Sequence, residues 1–303
     1  MVCFLLEREE FLEAMKSQEF GIEIEFSFIS RIRAEEVIGD VLHSSDMIDG
    51  LGRQWDVYRD GSIVPRKRNV DGHIVHASDD YRVEFVSPIL GYDDIPLLQE
   101  LIRALRKAGA EPSDLCGIHI HVGEAGHTPQ SLRNLLNLFM QKEEIFIEAF
   151  QIPSNRLFQY CNTVDEGLIS IINRRKPKTL YKLREYWDEE TGTRYKMVNL
   201  DSFFSKKGIE FRFFNTTMHA GIVRAYIVFC LALSQKAKMM NRAVPRKSNL
   251  ENNRYEFRNF LNRLYLSGDE FKNVRKHLLK HVSGDSSFHN PEDYGRRRLN
   301  QNL

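Results

Sequence analysis

Four short segments carry groups that bind metal ions or anions at every second position. They are Glu23 and Glu25 in GIEIEF, Arg82 and Glu84 in RVEFV, His119 and His121 in GIHIHV, and Glu210 and Arg212 in IEFRF. A strand turns successive side chains to opposite faces, so each segment has one polar and one apolar face. Ile22, Ile24 and Phe26 oppose the first glutamates, Val83 and Phe85 oppose Glu84, Ile118, Ile120 and Val122 oppose the histidines, and Ile209, Phe211 and Phe213 oppose Glu210. Any one pair is explained by a solvated strand face, and a lone strand histidine is more often structural than a ligand. Two histidines at i and i+2 are different, because both can point into one site. Together Glu23, Glu25, Glu84, Glu210 and His119 offer an oxygen-rich donor set that suits magnesium or manganese better than zinc, with Arg212 as an anion clamp. Carboxylates about 4 Å apart repel by several kcal/mol near a protein surface, and divalent cations remove that cost. The five groups are therefore expected to converge. Replacing Glu210 by glutamine is expected to relieve repulsion and to leave stability level or higher.

Positioning these groups requires strands, expected over residues 21–28, 56–58, 81–86, 117–122 and 209–214. Helical periodicity is expected over 7–15, 34–42, 95–107, 131–150, 221–240, 256–266 and 269–281, with a Thr128-Pro129 start signal before the fourth. The fold class is α+β. The basic and aromatic stretch 173–194 lacks clear periodicity and reads as a loop containing a hairpin, and 283–303 reads as a loosely ordered polar tail. Residues 1–282 are expected to form a single domain, with a helical extension from 241 to 282.

A chain of 303 residues buries a sizeable core, and its 43 lysines and arginines nearly balance 42 aspartates and glutamates. No strong field then favours nucleic acid or an anionic membrane, and a smaller partner is expected. The four cysteines Cys3, Cys116, Cys161 and Cys230 form no CxxC pair, which argues against a thiolate zinc site and a disulfide framework and fits a reducing cytoplasm. Residues 1–6 are too short for a secretory leader, and the apolar stretch 226–233 is shorter than the roughly 20 residues that cross a bilayer. A cytoplasmic protein is expected.

The runs GIEIEF, YRDGSI, VEFVSPIL, CGIHIHVG, RYKMVNL and IEFRFFNTT resemble, in that order, the motifs of the amidoligase family, within the carboxylate-amine ligase superfamily of glutamine synthetase and glutamate-cysteine ligase. The resemblance covers about residues 21–240. It implies a curved antiparallel sheet of the glutamine-synthetase catalytic-domain type, with helices packed on one face. It further implies ATP and Mg2+ (or Mn2+) as cofactors. Glu23, Glu25, Glu84, His119 and Glu210 correspond to metal ligands, His121 to a residue near the nucleotide phosphates, and Arg212 to an arginine that holds phosphate or a substrate carboxylate. Asp60 and Ser62 resemble a loop that binds the incoming amine, a loop that belongs to a separate domain in glutamine synthetase. Arg156 sits where the family often has an arginine, and is a phosphate ligand or an ordinary surface residue. One departure stands out: a basic residue two positions before the IEFR glutamate is replaced by Gly208.

The implied activity is ATP-dependent amide formation through an acyl phosphate. Its partners would be a small-molecule, peptide or protein side-chain carboxylate and an amine donor. A metal-dependent hydrolase and a catalytically idle nucleotide- or peptide-binding module are the alternatives.

Overall fold

The computed structural model describes residues 2–247 and 252–285. Helix α1 (Val2–Lys16) leads into strand β1 (Phe20–Phe26), followed by α2 (Arg31–Leu42), β2 (Asp56–Tyr58), β3 (Arg66–Arg68), β4 (Ile74–His76), β5 (Val83–Val86), α3 (Ile95–Lys107) and β6 (Gly117–Val122). Four helices come next, α4 (Pro129–Ala149), α5 (Ser154–Tyr160), α6 (Glu166–Arg175) and α7 (Leu180–Glu190). The chain then forms β7 (Val198–Asn199), α8 (Asp201–Phe204), β8 (Ile209–Asn215), α9 (Ala220–Met239), α10 (Asn253–Arg263) and α11 (Lys272–Leu278). A six-stranded sheet runs in the order β2-β5-β1-β6-β8-β7 with every pair antiparallel, and β3 and β4 form a separate hairpin. This is the α+β class.

The apolar residues of the alternation form the core under α1, α3, α4 and α9: Ile22, Ile24, Phe26, Val83, Phe85, Ile118, Ile120, Val122, Ile209, Phe211 and Phe213 are all buried. Ring contacts continue from Phe211 and Phe213 to Phe139 and Phe146 of α4, and on to Phe229 of α9 and Phe257 of α10. Helix α9 is apolar on nearly all sides because it is surrounded. At 20 residues and a mean hydropathy of 1.3 over its most apolar window it is long and apolar enough to cross a membrane, a length the stretch 226–233 did not reveal, yet 72% of that window is buried inside the protein. Its apolar surface is spent on α1, α3, α4 and α11.

Two readings change. Residues 173–194 hold the end of α6 and all of α7, not a hairpin. The Thr179 hydroxyl accepts from the Lys182 N–H and caps α7, while Leu183 and Trp187 bury a face narrow enough to escape a periodicity count. At the start of the expected tail, Ser283 is tied down, its N–H donating to Glu148 at 2.7 Å and its carbonyl accepting from the Arg254 N–H at 2.9 Å. Residues 286–303 lie outside those described.

Candidate active site

Register explains why the polar side chains meet. Glu23 pairs directly with His119 across β1 and β6, Glu25 with Glu84 across β1 and β5, and His121 with Glu210 across β6 and β8. Antiparallel partners face the same side, so the alternation in each strand adds up across the sheet. His119 Nδ1 lies 3.0 Å from Glu23 Oε2 and 3.9 Å from Glu210 Oε1, and its Nε2 lies 3.8 Å from Glu25 Oε1. His121 Nε2 lies 3.3 Å from Glu23 Oε1 and 4.0 Å from Glu210 Oε1. Two overlapping triads result, Glu23–His119–Glu210 and Glu25–Glu84–His119, each with donor atoms within 4.8 Å of one another. All five expected groups converge.

Their charge states differ. Burial works against the Glu23 carboxylate, but hydrogen bonds and charge from His119 and His121 overcome it and hold the group well below the usual range. Glu210 is lowered too: burial is outweighed by the Arg212 guanidinium, the two histidines and the Asn199 amide. Glu25 is raised by burial although the Gly117 N–H donates to its Oε2 at 2.6 Å. Glu84 is pushed up to about 8 by burial and by Glu23, Asp60 and Glu25. Repulsion from the neighbouring carboxylates therefore collects on Glu84. A divalent cation held by Glu25, Glu84 and His119 would neutralise that position, while His121 Nε2 stays beside the other triad, 3.3 Å from Glu23 Oε1. The donor set thus fits magnesium or manganese.

Two arginines stand beside these groups in the same cleft. Arg212 contacts Glu210 Oε1 through Nη1, and its Cζ stands 5.7 Å from the Tyr195 ring centre. Arg156, 2% exposed, donates from Nη2 to the Arg212 carbonyl at 2.9 Å and from Nη1 toward Cys161 Sγ at 3.6 Å, and its Nε has no partner. It is not a surface arginine. A Cβ on Gly117 would collide with this guanidinium, so the glycine that opens β6 admits it. Asp60 and Ser62 line the cleft, with the Asp60 carboxylate accepting from the Ser62 N–H at 2.7 Å. The loop arrives from within the same chain. Arg82 does not face the cleft; its Nη1 donates to the Gly61 and Ile63 carbonyls and clamps that loop.

Several site groups escaped the sequence reading. Asn199, Arg194 and Tyr195 lie in the run RYKMVNL, which has no alternation to mark a polar face; Asn199 donates to Glu210 Oε2 at 2.7 Å, and Arg194 stacks 5.4 Å from the Tyr195 ring centre. Ser202 meets His121 Nδ1 at 3.2 Å. The cleft holds about 520 Å3. At Glu23, His121 and Lys207 it adjoins a second chamber of about 990 Å3, with Phe20, Ile22, Val86, Pro88 and Ile89 in its wall and Lys206 and Lys238 beside them. Gly208 borders this chamber with φ 81°, and a Cβ there would lie 2.5 Å from the Val122 carbonyl oxygen. No side chain fits, which accounts for the missing basic residue.

No curated protein sequence matches the chain. Among solved structures, a bifunctional glutathione synthetase from Pasteurella multocida superposes with a TM-score of 0.38 at 11% identity, over 98% of this chain and 51% of that protein. The chain thus spans about half the length of that structure. Residues 16–234 match the family described as "Putative amidoligase enzyme", a span that runs from the end of α1 into α9 and contains every residue of both donor triads. The chain belongs to this amidoligase family.

Proposed function

We propose that the protein is an ATP-dependent ligase that joins a carboxylate to an amine through an acyl phosphate, with magnesium or manganese as cofactor. The observation that carries this reading is the pair of overlapping donor triads beside two buried arginines in one cleft. The sheet arrangement is in keeping with a glutamine-synthetase type of catalytic fold. Glu23, His119 and Glu210 would hold one divalent ion, and Glu25 and Glu84, sharing His119, a second. Bound there, the ions supply charge neutralisation at the phosphates of ATP.

The chain's own groups account for the rest. The apolar-walled chamber beside Glu23 and His121 suits a nucleotide, with Lys206, Lys207 and Lys238 placed for its phosphates. Arg212 and Arg156 hold the substrate carboxylate and then the acyl phosphate, whose charge a guanidinium fork matches in two directions. The substrate carboxylate attacks the γ-phosphorus, the bond to the β-phosphate oxygen breaks and ADP leaves, and the amine then displaces phosphate from the acyl carbon. Asp60 orients the amine and accepts its proton. No covalent nucleophile from the protein is needed; the cysteines described are buried, and burial raises their thiols, Cys116 to about 11.

The test is to follow phosphate release and amide formation together, offering amino acids, polyamines and peptides with ATP and Mg2+ or Mn2+. Phosphate release that needs both a carboxylate and an amine, and matches amide formed, is the expected result. Metal-dependent cleavage of an amide without nucleotide would replace the reading with a hydrolase. Nucleotide binding without turnover on any pair would replace it with a binding module.

A further inference from the structure

Leu115 stands in a backbone conformation that suits other residues better. The Cys116 N–H donates to the Ser113 carbonyl at 3.3 Å and closes a turn whose third residue, Leu115, has φ 67°. Asp114, the second residue, is not among those with positive φ, so the turn is of type II, which favours glycine or asparagine at its third position. A leucine there stores backbone strain. Its side chain is half-buried and lines the cleft, where every other lining residue is charged, polar or aromatic. The turn thus holds a strained aliphatic residue against a polar cleft. Burial elsewhere does not explain it, since Leu115 is absent from the buried core.

Its place in the cleft indicates what it meets. Leu115 comes two residues before Gly117, whose N–H holds Glu25 and whose missing side chain admits Arg156. This is the end away from Glu23 and His121, where the second chamber opens. We propose that Leu115 is a specificity-determining residue that packs against an aliphatic segment of the carboxylic acid substrate, so that the acid carries a hydrocarbon stem beside its reacting carboxylate. The inference rests on the ligase reading above.

The test uses ATP, Mg2+ and hydroxylamine as the amine, with hydroxamate measured for acetate, butyrate, hexanoate and the corresponding α-amino acids. The parent protein should prefer the longer acids. In Leu115→Asn, which suits the turn, the ratio of kcat/KM for the longest to the shortest acid should fall roughly tenfold or more, as loss of an apolar contact does, with no fall in Tm. Leu115→Met should restore the preference. Hydroxamate formed with the same preference in Leu115→Asn overturns the inference while the ligase reading stands. A Tm well below the parent's makes Leu115 a packing residue and overturns it too. No hydroxamate from any acid overturns the ligase reading and takes the inference with it.

Discussion

Glu84 and Glu210 bring the same charge into the same cleft and respond to it in opposite ways. Glu84 faces Glu25 across the strand pair and is raised to about 8 by burial and neighbouring carboxylates. In metal-free protein it is thus still protonated at pH values where the unfolded chain has ionised. Stability contributed by this group is present below its ordinary pKa of 4.5 and is lost as pH rises through about 8. Glu84→Gln has no such loss, so in chelator its melting temperature should exceed the parent's by a margin that widens from pH 5 to pH 8. Parallel curves would exclude this. Glu210 is lowered because Arg212 and Asn199 bind its oxygens. Glutamine at this position removes the partner of an arginine only 6% exposed. The expectation from composition, that Glu210→Gln leaves stability level or higher, is therefore reversed: metal-free Glu210→Gln should melt below the parent, by about 1–3 kcal/mol of lost stability. Arg212→Lys keeps the charge and loses the fork, so nucleotide binding measured by calorimetry should persist while the amide-forming rate falls by about 100-fold or more. A variant with full rate would leave Arg212 as a plain ion-pair partner of Glu210.

Among the elements, β8 departs most from regularity. Its register with β6 shifts between Ile118 and Ile120, so His119 faces both Arg212 and Phe213, and the strand sends Phe213 and Phe214 together towards the helices. The extra residue leaves Glu210 and Arg212 on the cleft side. Alternation alone gave the faces of β1, β5, β6 and the first half of β8, because a period of two reads out directly when one face is buried. It gave neither the shift in β8 nor β7, since two residues have no period and Asn199 is positioned by pairing with Glu210. Nor did it give the inward reach of Arg156 or the clamp made by Arg82, which join segments distant in sequence. Gly208, read as a departure in chemistry, is a steric requirement. Gly208→Ala should cost about 2 kcal/mol or more through positive φ and the Val122 carbonyl, measured by denaturant unfolding, with phosphate release reduced because β8 begins there. An unperturbed midpoint would show that the turn has room to rearrange.

At the scale of the whole molecule, the helices beyond residue 240 are part of the core. Phe257 and Phe260 of α10 join the ring cluster of Phe146, and Lys142 of α4 forms an ion pair with Glu256 although the two residues are 2% and 7% exposed. Helix α10 thus shares one aromatic cluster with α4 and α9. Breaking a buried pair on one side removes the opposite charge while the desolvation of the remaining group persists. Glu256→Leu should cost about 3–5 kcal/mol, and Lys142→Met combined with it should recover most of that loss in denaturant melts. Strictly additive losses would show that the pair is not coupled.

The outer strands of the main sheet are β2, three residues long, and β7, two residues long. Unpaired backbone groups along a long edge would invite a strand from another molecule, and here each edge is too short to hold one. Among the described residues the main sheet therefore presents no long edge along which a strand of a second copy could add. Concentrated solutions should stay free of cross-β material for as long as the molecules remain folded.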